Sequence, residues 1–311
     1  LRAPALVLLL AVALAGCKPD LGADPWLVDA PRVLAVRATP AEAAPGALVK
    51  LEVLAADPGG PVDPASADWT LCLVPRAPTD PGVVSDACLQ PVGEGLAPAG
   101  TGSPVDVVLP FDACSLFGPD VPPSDPGEPP ARPSDPDVTG GYYQPVRVAV
   151  AGDDTFELVR VSCNLGSASA EVAAEYQRRY HANQNPELLP LEVSVGGGDP
   201  AALDPEQPLE VDAGATVHLV AAWPAESAEP YVQYDLVSRQ IVDRRESLRV
   251  SWFVTAGTLD LERSGRSEDD PATTAANEYS APAQRGAAHL WLVLRDSRGG
   301  VAYQHHPIAI R

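Results

Sequence analysis

The chain has 311 residues and a formal charge of −21, with 42 acidic against 21 basic side chains. That excess of acid argues against nucleic acid as a partner, because a phosphate-binding surface needs a basic face. Its 35 prolines and 25 glycines disfavour long helices and favour turn-rich β structure. The length allows two or three domains with cores of their own.

Residues 1–16 read as an export signal. Ala5 to Ala13 is an uncharged apolar run that leads to Leu14-Ala15-Gly16-Cys17, and a Pro/Asp-rich polar segment follows. The run is too short for a stable membrane span, which needs about 20 residues. Only Arg2 is basic ahead of it, and Leu1 in place of Met reads as a near-cognate start or a trimmed end. The Leu-Ala-Gly-Cys junction resembles the lipobox of bacterial lipoproteins. That resemblance implies cleavage before Cys17, a diacylglyceryl group on its thiol and acylation of its new amino group. The other reading is an ordinary secretory signal with a chance cysteine. Lipid on Cys17 would hold the protein to a membrane, since each buried methylene contributes about 0.8 kcal/mol and two chains suffice. The expected location is the bacterial cell envelope, the outer membrane rather than the inner. Residues 17–30 form a polar tether, with Trp26 and Leu27 expected to pack back on the first domain.

The first domain is expected over residues 31–166. Arg32 to Arg37 alternates apolar and polar, Gly46 to Leu54 does so again, and Asp68 to Val74 carries Trp69. Four cysteines remain after Cys17, an even number that in an exported chain reads as two disulfides. Three pairings are possible, and the in-order one, Cys72–Cys88 with Cys114–Cys163, is favoured. None of the cysteines has the tight Cys-x-x-Cys spacing of a metal site, so no metal is expected there. Residues 115–142 hold an aperiodic, proline-rich insert read as an extended, mobile surface loop. Val146 to Asp153 and Phe156 to Cys163 supply the closing strands.

Residues 167–187 are expected to form a linker helix. Ser167 or Ser169 can cap it, Glu171 suits its N-terminus, and Val172, Tyr176 and Tyr180 make one apolar stripe. Asn183-Gln184-Asn185-Pro186 stops it. Over residues 188–311 the earlier order recurs. Leu191 to Val195 corresponds to the first strand, Ala213 to Ala221 to the Gly46 segment, and Arg249 to Val254 to the Trp69 strand. His289 to Asp296 and Val301 to Ile310 match the last two. Alternating strands bury one face and solvate the other. Trp69 and Trp252 become the central plugs, each covering on the order of 200 Å².

The fold class expected is therefore all-β: two β-sandwich domains joined by a short helix. The arrangement resembles the immunoglobulin-like domains of bacterial surface proteins, including their polycystic-kidney-disease-like members. The match is nearest in the C-terminal copy, through Val250-Ser251-Trp252, Gly257-Thr258-Leu259, Tyr279-Ser280-Ala281-Pro282 and the strand ending in Asp296. The whole chain is similar to uncharacterised lipoproteins of myxobacteria and their relatives, which bring no activity with them.

Motifs for hydrolase nucleophiles, Walker loops, zinc proteases and dinucleotide binding are missing from the sequence. His305 and His306 are neighbours on a strand, so they point to opposite faces and are expected to be solvated edge residues, the other reading being that one of them pairs with His289 across strands. The dense acidic stretch Glu268-Asp269-Asp270 lacks the spacing of an interdomain calcium site. The expectation is a non-catalytic envelope protein with no cofactor, serving a structural, adhesive or assembly role toward an envelope protein or a glycan. The alternative is a polysaccharide-binding accessory subunit of a carbohydrate-active or secretion system.

Overall fold

The computed structural model describes residues 24–76, 82–90, 93, 95–128, 138–166, 168–204 and 207–311. Residues 1–16, read above as an export signal, lie outside the described residues, as do Cys17, residues 18–23, Ser167 and residues 129–137 of the insert.

The protein is all-β, built as two immunoglobulin-like sandwiches. In the first, β1 (Arg32–Thr39), β3 (Leu48–Asp57) and β4 (Gly60–Pro61) form one sheet, with β7 (Val105–Val108) also paired to β3. The facing sheet runs in the order β2 (Glu42–Ala43), β9 (Asp153–Ser162), β8 (Gly141–Val150), β5 (Asp68–Cys72), β6 (Leu96–Thr101). A short helix α1 (Ala113–Leu116) overlaps the expected start of the insert, and helix α2 (Ala170–Arg179) leads to the second sandwich.

There, one sheet has the order β11 (Ala201–Ala202), β10 (Glu192–Val195), β13 (Thr216–Ala222), β19 (Thr274–Ser280), β17 (Thr258–Leu259). The other has the order β12 (Leu209–Val211), β21 (Val301–Ile310), β20 (Gly286–Asp296), β16 (Leu248–Val254), β18 (Arg263–Arg266). A separate hairpin, β14 (Pro230–Asp235) with β15 (Gln240–Arg245), rises between β13 and β16.

The two sandwiches repeat one pairing scheme. β1–β3–β7 corresponds to β10–β13–β19, and β6–β5–β8–β9 to β18–β16–β20–β21. In each copy a short strand crosses to the second sheet and pairs parallel to the last strand, β2 with β9 and β12 with β21. The strand text explains the faces: in β16, Leu248, Val250, Trp252 and Val254 point into the core while Arg249, Ser251 and Phe253 point away. Trp69 and Trp252 are fully buried. Each satisfies its indole N–H across the sheet, Trp69 on the Gly102 carbonyl at 2.7 Å and Trp252 on Ser264 Oγ at 2.9 Å.

Several expectations need correction. Trp26 and Leu27 pack on the second sandwich, not the first, while Val28 sits between the two. The Val28 N–H donates to the Val254 carbonyl at 2.8 Å, the Val254 N–H donates to the Trp26 carbonyl at 2.9 Å, and Trp26 leans on the second core. The insert does not reach residue 142, because β8 already begins at Gly141. Helix α2 is shorter than the expected stretch: it starts at Ala170, with Ser169 Oγ accepting from the Val172 N–H. The final strand is not an edge. β12 covers one side of β21 along Ile308–Ile310, β20 covers the other, and the first sandwich lies against its outer face. His306 points inward with Ala302, Ile308 and Ile310 and is buried, while His305 is half-buried on the outer face with its Nε2 2.9 Å from His289 Nδ1.

Candidate functional site at the joint between the sandwiches

Leu290 to Leu294 are all buried. An alternating strand would leave every second residue wet, so something must cover the outer face of β20. That cover is β1 and its neighbours. Val28, Leu34, Ala35 and Ala56 form a closed apolar seam with Trp291, Val293 and Val301. Arg295 donates across it to the Leu34 carbonyl at 2.9 Å, and Arg37 sets its guanidinium 5.1 Å from the Tyr303 ring centroid.

Beside the seam lie two buried ionic knots, one on each sandwich, linked by the segment after α2. In the first, Glu42 of β2 meets Arg160 of β9, Nε to Oε2 at 2.9 Å. Ser162 Oγ, the Asn183 N–H (both 2.9 Å) and the Tyr180 hydroxyl also donate to this carboxylate. Burial alone would raise the Glu42 pKa. Arg160 and these donors outweigh it, and the carboxyl lies below its usual range. The remaining guanidinium nitrogens reach Tyr143 Oη at 3.1 Å and Thr139 Oγ1 at 2.9 Å. The close approach requires Gly141, where a Cβ would run into the Arg160 guanidinium.

In the second knot Arg298 faces three carboxyl groups. Its Nε donates to Glu246 at 2.6 Å, its Nη2 to Glu229 at 3.0 Å, and its backbone N–H to Asp296 at 2.8 Å. Its guanidinium also lies 5.0 Å from the Tyr231 ring centroid. One guanidinium cannot neutralise three carboxylates in a dry site. Burial, with the neighbouring Asp296 adding to it, pushes the Glu246 pKa up to about 7 against the pull of Arg298. Asp296 is also raised, chiefly by burial.

The segment after α2 fastens the knots together. Asn183 donates its backbone N–H to Glu42 and its side chain to Asp296 at 3.3 Å. Asn185 donates to the Ala38 carbonyl at 2.7 Å and accepts from the Val301 N–H at 2.8 Å. In the sequence these asparagines signal only a helix stop. The pair Gly140-Gly141 at the mouth of the insert was the one available signal of a crowded backbone.

The joint holds geometry; the guanidinium groups and their Glu42 and Glu246 partners are shut away from solvent, while Glu229 is 23% exposed. Glu42, Arg160, Glu246 and Arg298 have side chains 0–2% exposed, so no substrate reaches them. Among the described residues no group of three or more His, Cys, Asp or Glu side chains is placed to hold a metal ion. Cys72 is bonded to Cys88 and Cys114 to Cys163. The first ties β5 to the turn at Asp86–Cys88, and the second ties α1 to the segment after β9.

The accessible chemistry lies at the open end of the seam. A groove of about 480 Å³ has Arg32 and Leu34 of β1 on one wall and Arg249, Phe253, Arg263 and Arg295 of the second sandwich on the other.

No protein-family model matches the chain, and no curated protein matches it. Among solved structures, similarity is loose. A nucleoside hydrolase-related hypothetical protein from Saccharophagus degradans, described as associated with carbohydrate metabolism, aligns over 42% of this chain and 26% of its own at 19% identity and a TM-score of 0.22. The C-terminal domain of the Streptococcus agalactiae AgI/II polypeptide BspA aligns over 90% of this chain and 99% of its own at 9% identity and a TM-score of 0.23. Escherichia coli alpha-2-macroglobulin aligns over 93% of this chain and 22% of its own at 11% identity and a TM-score of 0.22. At such scores neither fold nor function passes from these proteins to this one.

Proposed function

We propose that the chain is a lipid-anchored protein of the bacterial cell envelope, in which two coupled immunoglobulin-like sandwiches serve as a non-catalytic binding or assembly module. The observation that carries this reading is the joint. The apolar seam and two buried ionic knots hold the sandwiches in one fixed relation, as a scaffold that presents surfaces needs and a flexible tandem does not provide. The two disulfides support an oxidising compartment. The Leu14-Ala15-Gly16-Cys17 junction supports lipid attachment.

Cell fractionation with intact-mass analysis tests the anchor. Wild-type protein is expected in the membrane fraction carrying lipid on Cys17, and Cys17→Ser in the soluble fraction or as uncleaved precursor. Wild-type protein without lipid removes the anchored reading. Crosslinking in intact membranes, followed by partner identification, then tests the assembly role. A polysaccharide-binding accessory role is the second reading, and the arginine-lined groove favours it.

A further inference from the structure

We infer that the groove at the open end of the seam binds a sugar bearing an oxyanion, a carboxylated or sulfated oligosaccharide. This rests on the binding-module reading and adds to it a site and a ligand class.

The first observation is the register of the sheet. Arg249 of β16 stands directly opposite Arg295 of β20, and Ser251 stands opposite Arg263 of β18. Direct partners in an antiparallel pair share a face, so Arg249, Arg263 and Arg295 project from one side of three adjacent strands. Arg32 approaches from β1. Like charges placed opposite one another destabilise a sheet. Four of the chain's 19 arginines gather here, although the protein as a whole carries −21.

The second observation is what these arginines meet. Among the described residues, Arg32, Arg249 and Arg295 have no carboxylate within salt-bridge distance. Arg32 donates to the Pro25 carbonyl at 3.1 Å and Arg295 to the Leu34 carbonyl. Arg263 has Glu262 at 3.8 Å, and Glu157 acts on Arg295 from a greater distance. Asp296 also borders the groove, but its carboxylate is committed to Arg298, Gly300 and Asn183. Burial lowers the Arg295 pKa; Glu157 opposes the shift and Arg263 adds to it. An oxyanion between the guanidinium groups would relieve this repulsion and match their forked donors.

The third observation selects a sugar over a peptide. The floor is the face of β16, whose backbone is already paired on both sides, to β18 and to β20. A peptide strand finds no ladder there to extend. Ser247, Ser251 and Ser297 offer hydroxyls as partners for sugar hydroxyls, and the Phe253 ring holds the Arg32 guanidinium 5.3 Å from its centroid. The volume of about 480 Å³ falls inside the range of roughly 300–1,000 Å³ typical of small-ligand sites.

Calorimetric titration of the full-length protein tests the inference, with trigalacturonate, a sulfated galactose trimer, neutral galactotriose, inorganic sulfate and triglutamate as probes. At least one of the two anionic sugars is expected to bind about tenfold or more tighter than every other probe. The ratio of the two reports which oxyanion is preferred, and added salt weakens both. The double substitution Arg249→Glu with Arg263→Glu, on exposed side chains, is expected to abolish that binding while the melting profile stays cooperative. Arg249→Gln alone is expected to raise the melting temperature at low salt by removing repulsion, and to weaken the sugar about tenfold or more. Equal binding of galactotriose or sulfate, tighter binding of triglutamate, unchanged affinity in the double variant, or no binding at all would each overturn the inference. A soluble, unlipidated protein that still bound the sugar would remove the anchor and leave the groove standing.

Discussion

The two sandwiches share a strand order but not a means of support. The first binds its margins with covalent links: Cys72–Cys88 pins the end of β5, and Cys114–Cys163 pins the start of the insert to the segment after β9. The second has no cysteine. It relies on a larger apolar core, with Trp223, Trp252, Tyr279 and the Leu290–Leu294 run, and on the first sandwich for cover over β20. Part of the difference follows from the insert. A long, proline-rich excursion adds chain entropy without adding core, and Cys114–Cys163 at its base restricts that entropy, while Cys72–Cys88 closes a separate loop after β5.

Reduction should separate the copies most sharply. The two bridges close 16 and 49 residues, and the chain-entropy model assigns them about 3 and about 4 kcal/mol. Melting in reductant should therefore unfold the first sandwich at a much lower temperature and affect the second only through the lost seam. Trp252 fluorescence against amide exchange in β5 and β8 would separate the two transitions. A single transition shifted as a whole would mean that the joint makes them one cooperative unit.

Within the cores the copies should behave alike. Trp69→Ala and Trp252→Ala each empty a fully buried position and break an indole hydrogen bond, and each should cost about 3–5 kcal/mol. Urea melts of both variants check this. A cost in the first sandwich well under that in the second would show that its crosslinks let the cavity collapse.

The knots at the joint should behave differently from each other. Glu42→Gln removes the buried carboxylate that meets Arg160 Nε at 2.9 Å, at a cost of about 3–5 kcal/mol at neutral pH. The Glu42 pKa is depressed, so its contribution is complete above about pH 4.5 and is lost as pH falls through the lowered value. His305 and His306 act in the same direction. Burial lowers both to about 4 from 6.5, so their protonation costs stability as pH falls from about 6.5 towards 4. Loss of the Glu42→Gln difference in acid, followed by urea melts from pH 7 to pH 3, checks the sign.

Much of this architecture was legible because alternation, turns and large aromatics announce it. β3, β16 and both tryptophans could be read directly, and the recurrence of one order gave the second copy. What stayed hidden depends on contacts between distant segments. β2 and β12 are two and three residues long and exist only through parallel pairing with the last strand. His306 shares the inward face of β21 with Ala302, Ile308 and Ile310, so reading the strand as an edge made the histidine look solvated. The joint draws on Glu42, Arg160, Asn183, Glu246 and Arg298, which no local pattern connects. Leu290 to Leu294 did hold a clue: an unbroken apolar run on a strand means cover on both faces.

The smallest effect should come from Glu246→Gln, and it sets the two knots apart. Glu246 carries a pKa of about 7 in the folded protein against 4.5 for the free group. The folded state therefore binds more protons than the unfolded state between those values. The stability this gives is complete below about pH 4.5 and is lost as pH rises through about 7. Near pH 6 the carboxyl already holds its proton for most of the time, and glutamine has nearly the same shape and keeps an acceptor for Arg298. The substitution should thus change stability by less than about 1 kcal/mol there. Between pH 6 and pH 8 the variant should gain on the wild type, because glutamine has no proton to lose. Paired urea melts at the two pH values decide the matter. If Glu246→Gln costs several kcal/mol at both, as Glu42→Gln is expected to do at neutral pH, then Arg298 needs a full carboxylate at this position. The contrast between one knot with matched charges and one with surplus acid would then fail.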